Sequence, residues 1–144
     1  MQLYPPLHTE VLAFRNLGNL RFEEMTSAWG TQSPGIHNGI ALADFDGDGD
    51  LDVVVNRLRD TPALYRNNAG NPRVAVRLLS DGRNSQGVGA RVTLRGGKLP
   101  VQSKEVVAGG HYASGSDPVL QFATGEDPED LTLDVQWRSG ATTT

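Results

Sequence analysis

Several features that would assign this chain of 144 residues to a common protein class are missing from it. It contains no cysteine, which excludes a disulfide framework and a cysteine-ligated metal site. No apolar run approaches the roughly 20 residues that a membrane-spanning helix needs. Lysine and arginine are scattered and the formal net charge is −4, so no basic patch points to nucleic acid. The acidic residues are therefore the first feature to explain.

Helical patterning is lacking as well. No stretch keeps a helical apolar period over three turns, and residues 26–29 allow a single turn at most. The 17 glycines and 8 prolines instead suit a turn-rich β protein. Apolar and polar residues alternate in three segments, which is typical of half-buried antiparallel strands: 74–78, 92–95 and 131–137. We therefore expect an all-β fold.

A glycine pair in the second half predicts one specific hairpin. Gly96 and Gly97 lie between the apolar–polar alternation of residues 91–95 and a further strand expected within residues 99–107. Paired glycines are favoured in the tight turns of β-hairpins because they adopt positive φ angles without steric cost. The two strands are therefore expected to pair with each other.

Five aspartates at alternate positions form the strongest local signal in the chain. Like charges at this spacing repel one another unless a cation neutralises them. Ca²⁺ is the natural candidate, because it takes about 6–8 oxygen ligands and carboxylates supply them. We therefore predict Ca²⁺ as the cofactor, and we predict these metal ligands: Asp44, Asp46, Asp48, Asp50 and Asp52.

The spacing of these aspartates indicates the kind of calcium loop. Asp44, Asp46 and Asp48 occupy positions 1, 3 and 5, from which side chains point inward, and a glycine at position 6 allows a sharp turn. Asp50 at position 7 would offer its backbone carbonyl, and Asp52 at position 9 would close the ligand shell. An acidic surface turn that binds nothing is the alternative, since Asp-Gly pairs also make hairpin turns.

The loop is not that of an EF-hand. An EF-hand places a bidentate glutamate at position 12, where this chain has Val55. The flanks differ as well, because residues 40–43 and 53–55 are short, apolar runs that predict strands rather than helices.

An aromatic-Arg-Asn triplet occurs twice. Phe14-Arg15-Asn16 and Tyr65-Arg66-Asn67 lie 51 residues apart, and each precedes a Gly-Asn pair. Periods of this order are typical of propellers, solenoids and arrays. Chance is the alternative, since aromatic strands and Asn-Gly turns are common parts of hairpins.

Residues 10–68 resemble an FG-GAP/VCBS repeat. The resemblance rests on the two triplets and on Asp44, Asp46, Asp48 and Asp52, which fill every acidic position of the D-x-D-x-D-G-x-x-D calcium loop of that family. It implies one blade of an integrin-like β-propeller, with the ion bound between two strands. One blade cannot close a ring and would leave its flanks uncovered.

Residues 69–144 resemble an ASPIC/UnbV domain, a module that characteristically follows FG-GAP/VCBS repeats. The resemblance rests on Gly-Ala-Arg-Val at 89–92, Trp-x-x-Gly at 137–140 and the segments 105–114 and 120–125. The chain departs from the family pattern at Ala123-Thr124 and Arg138. The resemblance implies a small antiparallel β-sandwich or barrel-like domain. We expect this domain to be truncated at its C-terminal end because the chain stops at Thr144.

Catalysis is not expected. His111, Ser114 and Asp117 lie on one glycine-rich loop, but no sequence feature supplies the fixed geometry and oxyanion hole that a catalytic triad needs. The clustered aspartates are committed to the metal, so the paired carboxylates of a glycosidase are also missing. We predict no catalytic residues and no cofactor other than the ion.

The leading functional hypothesis is a calcium-stabilised, non-enzymatic binding or structural module that is extracellular or periplasmic and contacts protein or glycan. One alternative is an accessory subunit of a larger assembly, joined through exposed sheet edges. A second is a non-catalytic fragment of a carbohydrate-active secreted protein. Residues 1–6 lack the features of a signal peptide, and we expect that the chain lacks its natural beginning.

Overall fold

The computed structural model describes residues 9–112, 114–126 and 128–144. Over these residues the protein is all-β, with 13 strands and no helix, which confirms the predicted fold class. Residues 1–6, which were examined for a signal peptide, lie outside the described residues. Among the described residues, no helix has the length and apolar character needed to cross a membrane.

The described residues form five small antiparallel sheets. The strands, in chain order, are β1 Phe14–Gly18, β2 Arg21–Glu24, β3 His37–Ala43, β4 Asp52–Arg57, β5 Ala63–Tyr65, β6 Arg73–Val76, β7 Arg91–Arg95, β8 Gln102–Glu105, β9 Gly110–His111, β10 Ser114–Gly115, β11 Leu120–Ala123, β12 Thr132–Gln136 and β13 Thr142–Thr143. The strand orders of the sheets are β1-β2, β3-β4-β5, β6-β11, β8-β7-β12-β13 and β9-β10.

The N-terminal unit, β1 to β5, consists of a hairpin and a three-stranded meander. β3 and β4 pair from His37 opposite Arg57 to Ala43 opposite Asp52, so both strands predicted beside the acidic segment are confirmed. Val55 in β4 is the one buried hydrophobic residue among the described residues of this unit. The unit therefore has little core of its own.

The C-terminal unit, β6 to β13, holds the main hydrophobic core. Val92 of β7 faces Val135 of β12, and Val74 of β6 faces Phe122 of β11, so two sheets bury their inner faces against each other. The alternation seen in the sequence is thus the alternation between core and solvent. The predicted glycine hairpin is also confirmed, because β7 pairs with β8 from Arg91 opposite Glu105 onward.

Two side chains of β8 link the two core sheets along one edge. The Gln102 side-chain amide donates to the carbonyl of Ala123 in β11 and accepts from its N–H, at 2.6 and 3.1 Å. Lys104 Nζ donates to the carbonyl of Gln121 at 2.5 Å and lies over the Phe122 ring. Burial lowers the pKa of Lys104 at this position. These contacts make the unit barrel-like on this side.

The two copies of the repeat use their second strand differently. In the first copy, β1 and β2 pair as a hairpin. In the second copy, β5 pairs with β4, and the following strand β6 pairs with β11 of the C-terminal unit. The predicted boundary between residues 68 and 69 falls in the segment that joins β5 to β6, and this boundary stays a prediction.

A loop of the C-terminal unit covers the open edge of β3. Ser114 Oγ donates to the carbonyl of Ile40 and accepts from its N–H, at 2.5 and 3.1 Å. Ser116 Oγ accepts from the N–H of Leu42, and the Asp117 N–H donates to the Leu42 carbonyl, both at 3.1 Å. Because an unpaired strand edge exposes backbone donors and acceptors, these bonds protect it from other partners.

Candidate metal centre

The acidic segment forms a closed loop, residues 44–52, between β3 and β4. Ala43 pairs with Asp52 at its base, so the two strands hold the loop ends together. Gly47 and Gly49 have φ angles of +77° and +90°, a left-handed conformation that other residues adopt only with strain. We refer to residues 44–52 as the acidic loop.

Aspartate side chains hold the backbone of the acidic loop in its curled form. Asp44 accepts from the N–H groups of Gly47 and Gly49, at 2.7 and 2.9 Å. Asp46 accepts from the Asp48 N–H at 3.2 Å, and Asp48 accepts from the Asp50 N–H at 3.0 Å. The carboxylates are thereby turned toward the inside of the curl, as the sequence predicted for positions 1, 3 and 5.

Three of the carboxylates converge. Asp44, Asp46 and Asp48 each contribute an oxygen, and these oxygens lie within 4.8 Å of one another. Two ligands of one Ca²⁺ ion, each about 2.3–2.6 Å from it, are at most about 5.2 Å apart, so the spacing fits. The donors are all hard oxygen atoms, which suit Ca²⁺ better than a soft metal.

Asp52 lies outside this cluster and braces the loop. Its side chain is 2% exposed. One carboxylate oxygen accepts from the N–H of Phe45 at 3.0 Å, and the other accepts from the N–H of Asn67 at 2.8 Å. Its carboxylate therefore ties the start of the loop to the chain that follows β5. The role of Asp52 as a metal ligand stays a prediction.

Asp50 is also 2% exposed, and its environment is different. No described group donates a hydrogen bond of good geometry to either of its oxygens. The Arg73 Nη1 atom lies 2.9 Å from Oδ2, so the contact is an ion pair without hydrogen-bond alignment. A buried carboxylate needs such a counter-charge, because its desolvation is costly. Coordination through Asp50 stays a prediction as well.

Arg66 is a second cation beside the loop. Its Nε atom lies 2.6 Å from an oxygen of Asp46, and Nη2 lies 3.9 Å from an oxygen of Asp48. The sequence reasoning found Arg66 only as part of the repeated triplet and did not connect it with the acidic loop. Arg73 lies in the second copy of the repeat, where it corresponds to Arg21 of the first, and it was not connected with the loop either.

The acidic loop stays strongly negative with both arginines in place. Its five carboxylates face two guanidinium groups, which leaves a formal excess of three negative charges. Mutual repulsion of carboxylates at these distances opposes the folded loop and favours the binding of a cation. The arrangement is suited to ion binding.

The three polar residues considered for catalysis do not form a triad. His111 Nε2 lies 3.0 Å from Ser116 Oγ, whereas Ser114 hydrogen bonds to the backbone of β3. Asp117 accepts two hydrogen bonds from Arg77, both at 3.1 Å. Each side chain thus has a different partner, and only that of Ser114 reaches the N-terminal unit.

The fold and the loop define an all-β protein that carries a propeller-type repeat. Residues 8–55 match the family model of the FG-GAP-like repeat, and residues 80–144 match that of ASPIC and UnbV. The chain therefore combines these two modules in the predicted order. This combination indicates an extracellular-type module.

Two curated relatives are similar to the chain. Both are named cartilage acidic protein 1, one from Mus musculus and one from Homo sapiens. Each is 27% identical over 130 residues, which cover 88% of this chain and 20% of the relative. The chain thus spans about one fifth of the length of these curated relatives.

Proposed function

We propose that the chain is a calcium-stabilised, non-enzymatic binding or structural module that works in an extracellular or periplasmic setting. The ion binds in the acidic loop and holds β3 and β4 as a rigid pair. The observation that carries this proposal is the convergence of Asp44, Asp46 and Asp48 oxygens within 4.8 Å of one another.

The weak core of the N-terminal unit supports a structural role for the ion. A two-stranded hairpin and a three-stranded meander with one buried hydrophobic residue gain little stability from apolar burial. An ion that binds only the folded state adds stability in proportion to the logarithm of its concentration over Kd. At 100 times Kd, the gain is about 2.7 kcal/mol.

The proposed compartment follows from calcium availability. Extracellular calcium modules work with Kd values of roughly 10⁻⁴–10⁻³ M, which suits a loop with few carboxylates in the cluster. Neither of the two matching modules is a known enzyme, and the acidic residues of the loop are engaged in backbone bonds and ion pairs. A binding role is therefore favoured over a catalytic one.

The test is thermal unfolding of the full chain over a calcium titration. Saturating calcium should raise Tm by about 5–10 °C, given the gain above and the size of the chain. A double variant, Asp46→Asn with Asp48→Asn, should lose this rise because it removes two charges while keeping amide oxygens for the backbone bonds. Asp81→Asn, an exposed aspartate of the C-terminal unit, is the matched control.

Two results would contradict the proposal. One is a Tm that calcium leaves unchanged in the unmodified chain. The other is an equal rise in the double variant, which would assign the calcium effect to a different part of the chain. Magnesium at the same concentration should raise Tm less, because Mg²⁺ demands a tighter octahedral shell.

A role as an interaction subunit is the second candidate, and one observation favours it. Phe14 and Phe22 lie on the same face of the β1–β2 hairpin, since Asn16 pairs with Phe22. Both are more than half exposed, at 52% and 60%. Apolar faces of this kind mark sites of protein contact. Sedimentation should then show association that Phe14→Ser with Phe22→Ser abolishes, whereas a monomer would argue against it.

A further inference from the structure

The segment that joins the two units is tied to the acidic loop at three points. We refer to residues 66–73 as the linker segment. Arg66 pairs with Asp46, the Asn67 N–H donates to Asp52, and Arg73 pairs with Asp50. A cleft of about 450 Å³, lined by Asp48 and residues 68–73, lies between the loop and this segment. The linker segment is therefore tied to the loop at both of its ends, and the cleft lies between these ties.

The position of Arg73 is set by the C-terminal unit. Arg73 begins β6 and pairs with Ala123 of β11, directly beside the fully buried Phe122. The N–H of Thr124 donates to the carbonyl of Pro72 at 3.0 Å, which extends the pairing by one residue. The backbone at Arg73 thus belongs to a sheet that packs on the main core, whereas its side chain reaches the loop of the other unit.

The Arg73 guanidinium also holds the linker segment in shape. Nε donates to the carbonyl of Asn71 at 3.0 Å, and Nη2 donates to the carbonyl of Ala69. Nη1 lies 2.9 Å from Asp50, which is 2% exposed. Arg73 thereby connects three parts of the molecule. Its backbone lies in the C-terminal sheet, and its side chain bonds to the linker segment and pairs with Asp50 of the acidic loop.

We propose that Arg73 couples ion binding in the acidic loop to the docking of the C-terminal unit on the N-terminal unit. This inference rests on the proposed function, because the ion that it invokes is Ca²⁺. An ion held by Asp44, Asp46 and Asp48 fixes the loop backbone, and the fixed backbone holds Asp50 against Arg73. Because coupling between two equilibria is reciprocal, a docked C-terminal unit also raises the affinity of the loop for the ion.

Arg66 has the opposite relation to the ion. It pairs with two carboxylates of the cluster itself, and its side chain is 63% exposed. A cation that binds there takes the place of Arg66, so this tie is lost when the loop is loaded. The buried pair of Arg73 and Asp50 is kept. Arg66→Gln is therefore a matched control. It is the same substitution in the same segment, but it removes an ion pair that the bound cation would replace and that does not couple the loop to the C-terminal unit.

The test is hydrogen exchange of backbone amides in the full chain, with and without calcium. In the unmodified chain, calcium should slow exchange of the Gly47 and Gly49 amides and also of residues 67–76, by at least about 5-fold. Arg66→Gln should keep both effects. Arg73→Gln should keep the effect at the two glycines and lose it in residues 67–76, and Arg73→Lys should lose it in part. Calcium protection of residues 67–76 that persists in Arg73→Gln would overturn the proposal.

Tryptophan fluorescence, to which Trp137 on the core contributes, checks that each variant keeps its C-terminal unit folded. A double-mutant cycle of Asp50 and Arg73, measured without calcium, separates this inference from the proposed function. Without calcium, Asp50→Asn and Arg73→Gln should each speed exchange in residues 67–76, and the double variant should exchange no faster than Arg73→Gln alone, which also loses the bonds to Asn71 and Ala69. Independent effects would overturn the coupling. Absence of any calcium effect on Gly47 and Gly49 would instead refute the proposed function, and the cycle would still decide the coupling.

Discussion

Replacement of Asp52 by alanine should destabilise the protein strongly even when no cation is present. Its carboxylate accepts from the N–H groups of Phe45 and Asn67, at 3.0 and 2.8 Å, in a position that is 2% exposed. A hydrogen bond to a charged group contributes about 1.5–3 kcal/mol, so loss of both costs about 3–6 kcal/mol. That is a large fraction of the 5–15 kcal/mol typical of a domain.

Asp46 provides the contrast. Its carboxylate is more exposed and pairs with Arg66 at the surface, where an ion pair contributes about 0.2–1 kcal/mol. Asp46→Asn keeps an acceptor for the Asp48 N–H and loses the charge that pairs with Arg66, so it should cost about 1 kcal/mol or less in the presence of a chelator. With calcium present its cost should rise, since a charged ligand of the ion is lost as well. The two substitutions thus distinguish Asp52, which holds the loop backbone by hydrogen bonds, from Asp46, which is expected to bind the ion.

The assay is equilibrium denaturation in chelator, followed by tryptophan fluorescence. The chain has two tryptophans, Trp29 before β3 and Trp137 after β12, so the summed emission follows the unfolding of both units. Asp52→Ala should shift the transition, or its first phase, to lower denaturant. A loss below about 1 kcal/mol in chelator, with a large loss appearing only in calcium, would refute the reasoning and make Asp52 primarily a ligand.

Three further substitutions have expected outcomes. Arg66→Ala should raise calcium affinity by about 1.5- to 5-fold in calorimetric titration, because an exposed competitor contributing about 0.2–1 kcal/mol is removed. Gly96→Ala should lower the free energy of unfolding by more than about 2 kcal/mol, since φ is +94° and a Cβ would lie 2.1 Å from the Asp130 carbonyl oxygen. The Arg95 hydrogen bond lowers the pKa of Asp134, so the ionised Asp134 side chain stabilises the fold above the ordinary pKa of 3.8, and this stability is lost as pH falls below 3.8. Asp134→Asn should therefore reduce the fall in unfolding free energy at acidic pH, which we call the acid limb, in denaturation curves.

Each of these predictions has a control in the same chain. Arg83→Ala removes a positive charge elsewhere and should leave calcium affinity unchanged. Gly82→Ala places a Cβ in open space at an ordinary φ and should have little effect on stability. Asp81→Asn removes an exposed carboxylate and should leave the acid limb as it is. Equal effects in a control and its partner would contradict the corresponding argument.

Local patterns predicted those parts of the fold that involve neighbouring residues. The β7–β8 hairpin follows from strand alternation on both sides of Gly96 and Gly97, and the structure confirms it. The strands beside the acidic loop follow from two short apolar runs, and β3 and β4 confirm them. In both cases the pairing partner is adjacent in sequence, so turn chemistry and the period of two suffice.

The partners of distant residues could not be predicted in this way. The strand that begins at Arg73 follows an aromatic strand and a turn, as β2 does, and the same pattern is compatible with pairing to that strand. It pairs instead with β11, because Phe122 and the other core residues of the C-terminal unit bury its apolar side chains. The alternation marks these side chains as half-buried, but it does not say which remote strand pairs with β6.

The acidic loop shows most clearly which properties local sequence determines and which depend on contacts with distant residues. The sequence by itself determined that five alternating carboxylates lie between two strands and that glycines permit the curl, since charge spacing and φ preferences are local properties. Only the tertiary structure decided how the five differ. Three converge within 4.8 Å, Asp52 braces the loop to Asn67, and Asp50 meets Arg73 from the other unit. The difference arises because burial and counter-charges come from chain segments that the loop meets only after folding.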